Sequence, residues 1–249
     1  MTPKQHVLEA WGDLACFTQP ALKVERFSYP VITPSAARGI FDAICVNRHK
    51  YRWQITRIEV LEPVRYIALR RNEVKEKSPG TDTILAWMSG KREPEPIRAD
   101  ADEATSGSKE KGRTQRQTMA LKNVRYRLHA EIRPWPGYES ELPGMEGKFR
   151  RRALAGQCIN QPFFGCREFP AFFRLIEPGE EGKPPEETVN QEIGWMLYDV
   201  FDQSRPDDST SAARVSIFHA RIENGVLEVP AYESDLVHKP AVAGGVLHA

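Results

Sequence analysis

A helical pattern enclosed by two strand patterns does most to restrict how this chain can fold. Residues 6–17 partly alternate apolar and polar side chains and are followed by a Thr-Gln-Pro turn, which predicts a first strand. Residues 32–47 carry apolar side chains at helical spacing, and residues 51–66 return to a strand pattern. Strand, helix and strand in this order form half of a ferredoxin-like unit of the RRM type.

The predicted helix has recognisable signals at its start. Thr33 or Ser35 can act as the N-cap, and Pro34 suits the first turn because a helix does not use that amide hydrogen. We expect the helix to end near Asn47. The apolar side chains at helical spacing are Ala37, Ile40, Phe41 and Ile44.

The sequence predicts an α+β protein whose first domain, residues 1–133, is RRM-like. Within it, residues 70–118 include a polar stretch rich in Pro, Gly and Ser, which is typical of a mobile basic loop or a long protruding hairpin. An alternating pattern at residues 119–132 then predicts a further strand. Residues 134–159 predict a connecting loop and a basic helix closed by Gly156.

A small β-rich domain is predicted for residues 160–230. Two Phe-rich runs are interpreted as its strands, and a hairpin is expected to turn at Glu223, Asn224 and Gly225. Residues 231–249 show no pattern and are expected to form a loose tail.

The charge of the chain is segregated although its formal net charge is only +1. Residues 109–133 hold eight Lys or Arg against two acids, whereas residues 177–208 hold ten acids against two bases. Binding of nucleic acid depends on local positive charge, so a near-neutral total does not exclude it. This layout suits a subunit that binds RNA on its basic side.

The familiar catalytic motifs are missing. The chain has no P-loop, no Rossmann glycine fingerprint, no HExxH and no GxSxG. Its four cysteines are scattered without CxxC spacing, which is typical of buried thiols rather than a zinc site. No apolar run approaches the roughly 20 residues of a membrane span. We expect a cytoplasmic protein with no cofactor, no metal ion and no membrane partner.

Three basic clusters indicate a nucleic-acid partner. One leads into the strand predicted at residues 119–132, one opens the basic helix, and one fills the turn before residue 51. Aromatic side chains accompany them, as in proteins that stack single-stranded bases and contact phosphates. The clusters are Arg113, Arg116, Lys122, Arg125 and Arg127; Lys148, Arg150, Arg151 and Arg152; and Arg48, His49, Lys50, Tyr51, Arg52 and Trp53.

Five strings within residues 6–230 resemble one family. They are WGDLACFTQPALKVERFSYPVITPSAARGIFDAI, RRNEV, QRQTMALKNVRYRLHAEI, RRRALAGQCINQPFFGCREFPAFF and IGWMLYDVFD. Their order and content are similar to the type I-C branch of the Cas-five family of the RAMP superfamily. The resemblance implies an RRM-like N-terminal domain, a long protruding hairpin and a small β-rich C-terminal domain. It also implies residence at the 5′-handle end of the crRNA in a Cascade complex, and cleavage of the precursor transcript by this branch itself.

The chain differs from the family at the positions where the family carries its catalytic residues. Members commonly carry Gly-Lys-His just ahead of the basic helix. Aligned on RRRALAGQ, the Lys and His positions fall on Gly144 and Met145; aligned on Gly147 and Lys148, the His position becomes Phe149.

Replacement groups lie nearby in the sequence. The aromatic or His position at the end of the first helix falls on Cys45, but the following turn is one residue longer and contains His49, Lys50 and Tyr51. His129 is another imidazole, and its alternating strand position favours a structural role. The catalytic residues predicted from these observations are His49, Tyr51 and Lys148.

The predicted reaction needs no metal ion. A base takes the proton of a ribose 2′-OH, the oxyanion attacks the adjacent phosphorus, and an acid protonates the departing 5′ oxygen. His49 and Tyr51 would move protons while Lys148 stabilises the phosphorane. The RNA-binding residues predicted here are Lys23, Arg26, Arg38, Lys50, Arg113, Arg116, Arg125, Arg150, Arg151 and Arg152.

The leading hypothesis is a Cascade subunit that binds the crRNA repeat and 5′ handle and cleaves precursor crRNA. The alternatives are a catalytically inactive cap of the 5′ handle, or a DNA-binding module that contacts the protospacer-flanking motif. The expected partners are the crRNA or its precursor and the backbone and large subunits of Cascade, with target DNA as a further candidate.

Overall fold

Antiparallel sheets dominate the structure, with few helices. The computed structural model describes residues 2–100, 112–180, 182–205 and 214–239. Two compact units are present: Met1–Ile67 together with Met119–Ala249, and Ala68–Thr118. In chain order the elements are β1 (Gln5–Ala15), α1 (Pro34–Ile44), β2 (Tyr51–Val60), β3 (Tyr66–Val74), α2 (Thr81–Met88), β4 (Arg113–Pro134), α3 (Leu142–Leu154), β5 (Phe172–Ile176), β6 (Gln191–Asp199), β7 (Ser216–Ile222), β8 (Val226–Glu228) and β9 (Val237–His238).

The larger sheet has the order β5-β1-β4-β2-β8, and β3 also pairs with β4. β1 is an inner strand, because β4 lies on one of its edges and β5 on the other. A second, three-stranded sheet has the order β6-β7-β9. The chain passes from β7 into β8 through the predicted turn, where Asn224 and Gly225 both have positive φ angles and so form a tight hairpin.

α1 forms where its signals predict. The Thr33 hydroxyl accepts a hydrogen bond from the Ala36 amide at 3.2 Å, so Thr33 is the N-cap. The apolar positions are buried as expected, and the helix ends at Ile44, three residues earlier than predicted.

Three large rings join the two helices of the first unit to the larger sheet. The Trp53 ring of β2 lies 4.8 Å from the Phe41 ring of α1 and 4.6 Å from the Phe149 ring of α3. The His6 ring of β1 lies 5.0 Å from the Phe149 ring. This packing sets the position of the α1 C-terminus, from which the site described below is built.

Three segments differ from the sequence expectations. α2 forms within residues 70–118, where no helix was expected, and residues 101–111 of that stretch lie outside the described residues. β5, one of the Phe-rich runs assigned to the small domain, pairs instead with β1 in the larger sheet. Residues 231–239 were expected to be part of a loose tail, but Tyr232 and Val237 are buried and β9 pairs with β7.

Candidate functional site

The C-terminus of α1 is held by side-chain donors. The Cys45 carbonyl accepts hydrogen bonds from Trp53 Nε1 at 2.9 Å and from the Tyr51 hydroxyl at 3.0 Å. The Ile44 carbonyl accepts one from Arg152 Nε at 2.7 Å. These bonds satisfy carbonyls that a helix end leaves without partners, so they hold the end of α1 rigidly.

The turn that follows presents His49 to solvent. Trp135 Nε1 donates to the Arg48 carbonyl and the Trp135 amide donates to the Lys50 carbonyl, each at 2.8 Å. The amides of Lys50 and Tyr51 both donate to the Asn47 carbonyl at 3.0 Å. The backbone on both sides of His49 is therefore anchored, while the imidazole itself is exposed.

His49 lies on the wall of a cleft of about 910 Å³. α1 forms one side of this cleft, and the loop of residues 160–165 and the end of β6 complete it. The loop is attached to α1, since the Ile159 amide donates to the Ala43 carbonyl at 2.6 Å. The volume is within the range of ligand sites in proteins, about 300–1,000 Å³.

A buried ion-pair network also lines the cleft. Arg38 donates from Nε to Asp199 at 2.9 Å, from Nη2 to the other Asp199 oxygen at 3.2 Å, and from Nη1 to Asp42 at 2.7 Å. Burial raises the pKa of Asp42, although Arg38 and Arg48 act in the opposite direction. Burial alone would lower the pKa of Arg38, but the two carboxylates outweigh it and raise this pKa. Arg38 thus joins α1 to β6.

The three predicted catalytic residues occupy different surroundings. Neither Tyr51 nor Lys148 lines the cleft that His49 lines. The Tyr51 side chain is 4% exposed, and burial raises its pKa. Lys148 is exposed on α3, and its side chain has no hydrogen bond or ion pair within the described residues. The trio therefore stays a prediction.

Several of the predicted RNA-binding residues are engaged within the protein. Lys50 pairs with Glu141 at 2.7 Å, Arg150 with Glu177 at 2.7 Å, and Arg116 with Glu73 at 3.5 Å. Arg125 donates to Glu9 at 2.6 Å. Arg26 lies in a turn with a φ angle of 44°, and its carbonyl accepts the Cys16 thiol at 3.4 Å.

Three other predicted cations are accessible, whereas Arg38 and Arg152 are held by the contacts described above. Lys23, Arg113 and Arg151 are exposed, and like that of Lys148 their side chains form no hydrogen bond or ion pair with any residue in the described ranges. A cation without an internal partner can neutralise an RNA phosphate without first giving up an ion pair. These four residues are the better candidates for phosphate contacts.

The positions aligned above with the Lys-His pair of the resembled family lie on α3. Met145 and Phe149 are buried and Gly144 is exposed. The nearby ring of His6 packs against Phe149, and burial lowers its pKa. Its Nε2 atom is buried and has no partner among the residues that the structure describes. Sequence reasoning missed His6 because it lies more than 140 positions from Phe149 in the chain.

His129 is buried and pairs with a carboxylate of the neighbouring strand. Its Nε2 atom lies 3.1 Å from Glu59 Oε1, and Arg127 donates to the other oxygen of Glu59 at 2.6 Å. Burial would raise the pKa of Glu59, but the hydrogen bond from His129 and the nearby arginines lower it.

Sequence reasoning also missed most residues of the cleft. Asp199, Phe201 and Asn160 lie in strings that carried the family resemblance, but no spacing rule linked them to His49. The NQPFFG string, with two amide side chains beside two rings, of which Phe163 is exposed and Phe164 is buried, was the available signal. Within the described ranges, no group of three or more His, Cys, Asp or Glu is placed to hold a metal ion. In the same ranges, no helix is long and apolar enough to cross a membrane.

Comparisons with known proteins agree over most of the chain. The Cas_Cas5d family model, described as CRISPR-associated protein (Cas_Cas5), matches residues 7–230. The chain is 38% identical over 237 residues to the CRISPR pre-crRNA endoribonuclease Cas5d of Mannheimia succiniciproducens, covering 93% of this chain and 97% of that protein. It is 35% identical over 236 residues to the protein of the same name from Thermus thermophilus, covering 90% of each.

A solved structure has the same fold. It is described as the crystal structure of a CRISPR-associated protein, and it matches with a TM-score of 0.61 at 18% sequence identity. The match covers 96% of this chain and 98% of the solved chain. At this identity the likeness concerns the fold alone.

Proposed function

Since this chain belongs to the Cas5d family of CRISPR-associated proteins, we propose that it binds the repeat of a CRISPR transcript and cleaves it. After cleavage it would stay on the 5′ handle as a Cascade subunit, beside the backbone and large subunits. One observation carries the proposal of cleavage. An exposed imidazole, His49, stands on an anchored turn at the wall of a cleft large enough for a nucleotide.

The proposed reaction is an attack by a ribose 2′-OH on the adjacent phosphorus. The His49 imidazole takes the hydroxyl proton, the O2′–P bond forms and the P–O5′ bond breaks. The 5′ oxygen then receives a proton from a general acid, and the products are a 2′,3′-cyclic phosphate and a 5′-OH. No step requires a metal ion, because the nucleophile is part of the substrate.

RNA binding would rely on the accessible cations named above, Lys23, Arg113, Lys148 and Arg151. The ion-paired cations, such as Arg150 and Lys50, would contribute less, because RNA must compete with the internal carboxylate for each of them. Lys148 remains a predicted member of the catalytic set, whereas the buried Tyr51, predicted as a proton shuttle, is proposed instead to position the turn of His49.

The order of strands supports the finer description of the fold as ferredoxin-like. β1, α1, β2, β4, α3 and β5 follow one another as two strand-helix-strand halves, with β3 and α2 inserted between them. Their sheet order, β5-β1-β4-β2, places the first and third of these four strands in the middle, as in RRM-type domains.

Cleavage of the cognate repeat hairpin in EDTA tests the proposal. We expect the wild-type chain to give a 5′-OH product and a 2′,3′-cyclic phosphate under these conditions. One general acid or base is typically worth about 10² to 10⁴ in rate, so we expect His49→Ala to slow cleavage by about that factor. The measurement is a single-turnover rate with end-labelled RNA.

His219→Ala is the matched control, because the His219 side chain is 60% exposed and lies outside the cleft. We expect this variant to cleave at the wild-type rate. Full activity of His49→Ala would contradict the role given to His49. A wild-type chain that binds the repeat but never cleaves it would favour the alternative, an inactive cap of the 5′ handle.

A further inference from the structure

The cleft carries two aromatic rings that the proposed cleavage chemistry does not use. Phe201 is 43% exposed and Phe163 is 40% exposed, and both line the cleft with His49. In contrast, the rings of Phe41, Phe149 and Phe164 are buried in the core. An exposed ring on a cleft wall offers a flat face on which a nucleobase can stack, whatever its sequence.

The backbone holds Phe201 in place. Asp199 Oδ1 accepts hydrogen bonds from the Val200 amide at 2.8 Å and the Phe201 amide at 3.0 Å, which forms a tight turn at the end of β6. The same carboxylate is clamped by Arg38 from α1. The backbone that carries the ring is thus positioned before any ligand arrives, which reduces the entropy lost on binding.

Cations lie beside the Phe201 ring. The guanidinium carbon of Arg48 is 5.8 Å from the ring centroid and that of Arg38 is 5.9 Å from it. Arg38 is buried between its two carboxylates. Arg48 is exposed and adjacent to His49 in the chain. A cation at this position suits a ligand that joins an aromatic ring to a phosphate.

Amide side chains supply polar groups on the walls of the same cleft. Asn160 is exposed on the loop attached to α1, and Asn47 lies in the turn that leads to His49. An Asn side chain carries one acceptor and two donors, which matches the donor and acceptor atoms on a base edge.

We propose that the cleft holds one unstacked nucleobase of the bound RNA, stacked on Phe201, with its sugar and phosphate directed toward Arg48 and His49. The inference deepens the proposed function and rests on it. Because Arg48 and His49 are neighbours, the nucleotide held in the cleft would be one that flanks the cleaved phosphate. The base must come from a single-stranded part of the repeat, since a paired base exposes no free face.

Abasic scanning of the repeat tests this site. One base at a time is removed from the single-stranded flanks of the repeat RNA, and Kd is measured for the wild-type chain and for Phe201→Leu. At one flanking position we expect base removal to weaken wild-type binding by about 5- to 150-fold, the range found for bases stacked on aromatic rings. The same base removal should have little effect on Phe201→Leu, because the variant has already lost the stacking face.

Phe172→Leu is the matched control, since this ring is 53% exposed on β5 and does not line the cleft. It should keep the full response to base removal. Phe201→Met is a second cleft variant, which also removes the ring, to be used if Phe201→Leu unfolds at a lower temperature than the wild type.

The outcomes separate the two proposals. In one outcome, the wild type and both cleft variants all bind the repeat and lose the same affinity when a given base is removed. That result would contradict the base site and leave the proposed function standing. Failure of the wild-type chain to bind repeat RNA at all would overturn both. In another outcome, the base whose removal weakens the wild type but not Phe201→Leu lies far from the cleaved phosphate. That result would support the base site but contradict its link to His49.

Discussion

Tyr51 and His49 are two positions apart and differ completely in their surroundings. The Tyr51 hydroxyl donates its hydrogen to the Cys45 carbonyl and also lies 3.3 Å from the Cys45 sulfur. Burial raises the pKa of this phenol, so ionisation is disfavoured at any pH that the protein would meet. A phenol in this state is a poor proton shuttle, and its bond to the end of α1 makes it a positioning residue for the turn of His49.

Tyr51→Phe separates the positioning role from the catalytic role. It removes one hydrogen bond and keeps the ring, so we expect a loss of about 1 kcal/mol in the free energy of unfolding. Cleavage should change less than threefold, which is well below the effect of about 10² or more for a missing general acid or base. Urea unfolding and single-turnover rates measure the two quantities. A drop in rate of 10² or more would instead support the predicted proton shuttle.

At the scale of elements, the basic side chains of α3 are of two kinds: some contact other parts of the protein, and others face solvent. Arg152 donates to the Ile44 carbonyl and so holds the end of α1, and Arg150 pairs with Glu177. Arg151 and Lys148 face solvent without a partner in the described part of the chain. The basic run RRR is therefore not one uniform RNA-binding surface.

Single substitutions in this run should give different results. We expect Arg151→Ala to lower the slope of log Kd against log salt by about one, because one phosphate contact is lost, with unchanged stability. Arg152→Ala should keep the slope and lower the free energy of unfolding by about 1–3 kcal/mol, since a buried carbonyl loses a charged donor. RNA binding at several salt concentrations and urea unfolding test both. An equal change of slope in the two variants would contradict the assignment of Arg151 to RNA binding and of Arg152 to an internal contact.

Elements with a strong local pattern were predictable, and contacts between distant elements were not. β1 and α1 follow from alternation, helical spacing and the Thr33 cap, which are all local signals. β5 has only five residues, and no local signal shows which free edge such a strand will join. The same limit applies to the cleft, because Arg38 and Asp199 meet across 161 positions of sequence. The turn of His49 was singled out because it is one residue longer than in the family that the sequence resembles, whereas the position of Phe201 on the cleft wall required the fold.

At the scale of the whole molecule, the polypeptide enters and leaves the unit Ala68–Thr118 through two adjacent strands. β3 leads into it, the first part of β4 leads out, and the Lys75 amide donates to the Gly112 carbonyl at 2.8 Å. These two residues are thus close enough to be joined by a short turn.

Replacing residues 76–111 with Asn-Gly should leave the other unit folded. A two-residue turn of this type matches the twist of an antiparallel pair. We expect the melting temperature to change by less than about 4 °C, which corresponds to about 1 kcal/mol for a chain of this size. Thermal unfolding of the shortened and full-length chains tests this. A loss of cooperative unfolding would show that the larger unit depends on the excised residues.

The inner position of β1 also has a consequence during synthesis. Its partner strands begin at Arg113 and Phe172, so the first strand to be made is completed only by later ones. At roughly 5–20 residues per second, residue 172 leaves the ribosome about 8 to 30 s after residue 15. Both edges of β1 lack their native partners until β4 is made, and one edge lacks its partner until β5 is made. An unpaired edge is a template for pairing with other chains. This inner strand of the finished sheet is therefore open to aggregation on the nascent chain until its later partners are made.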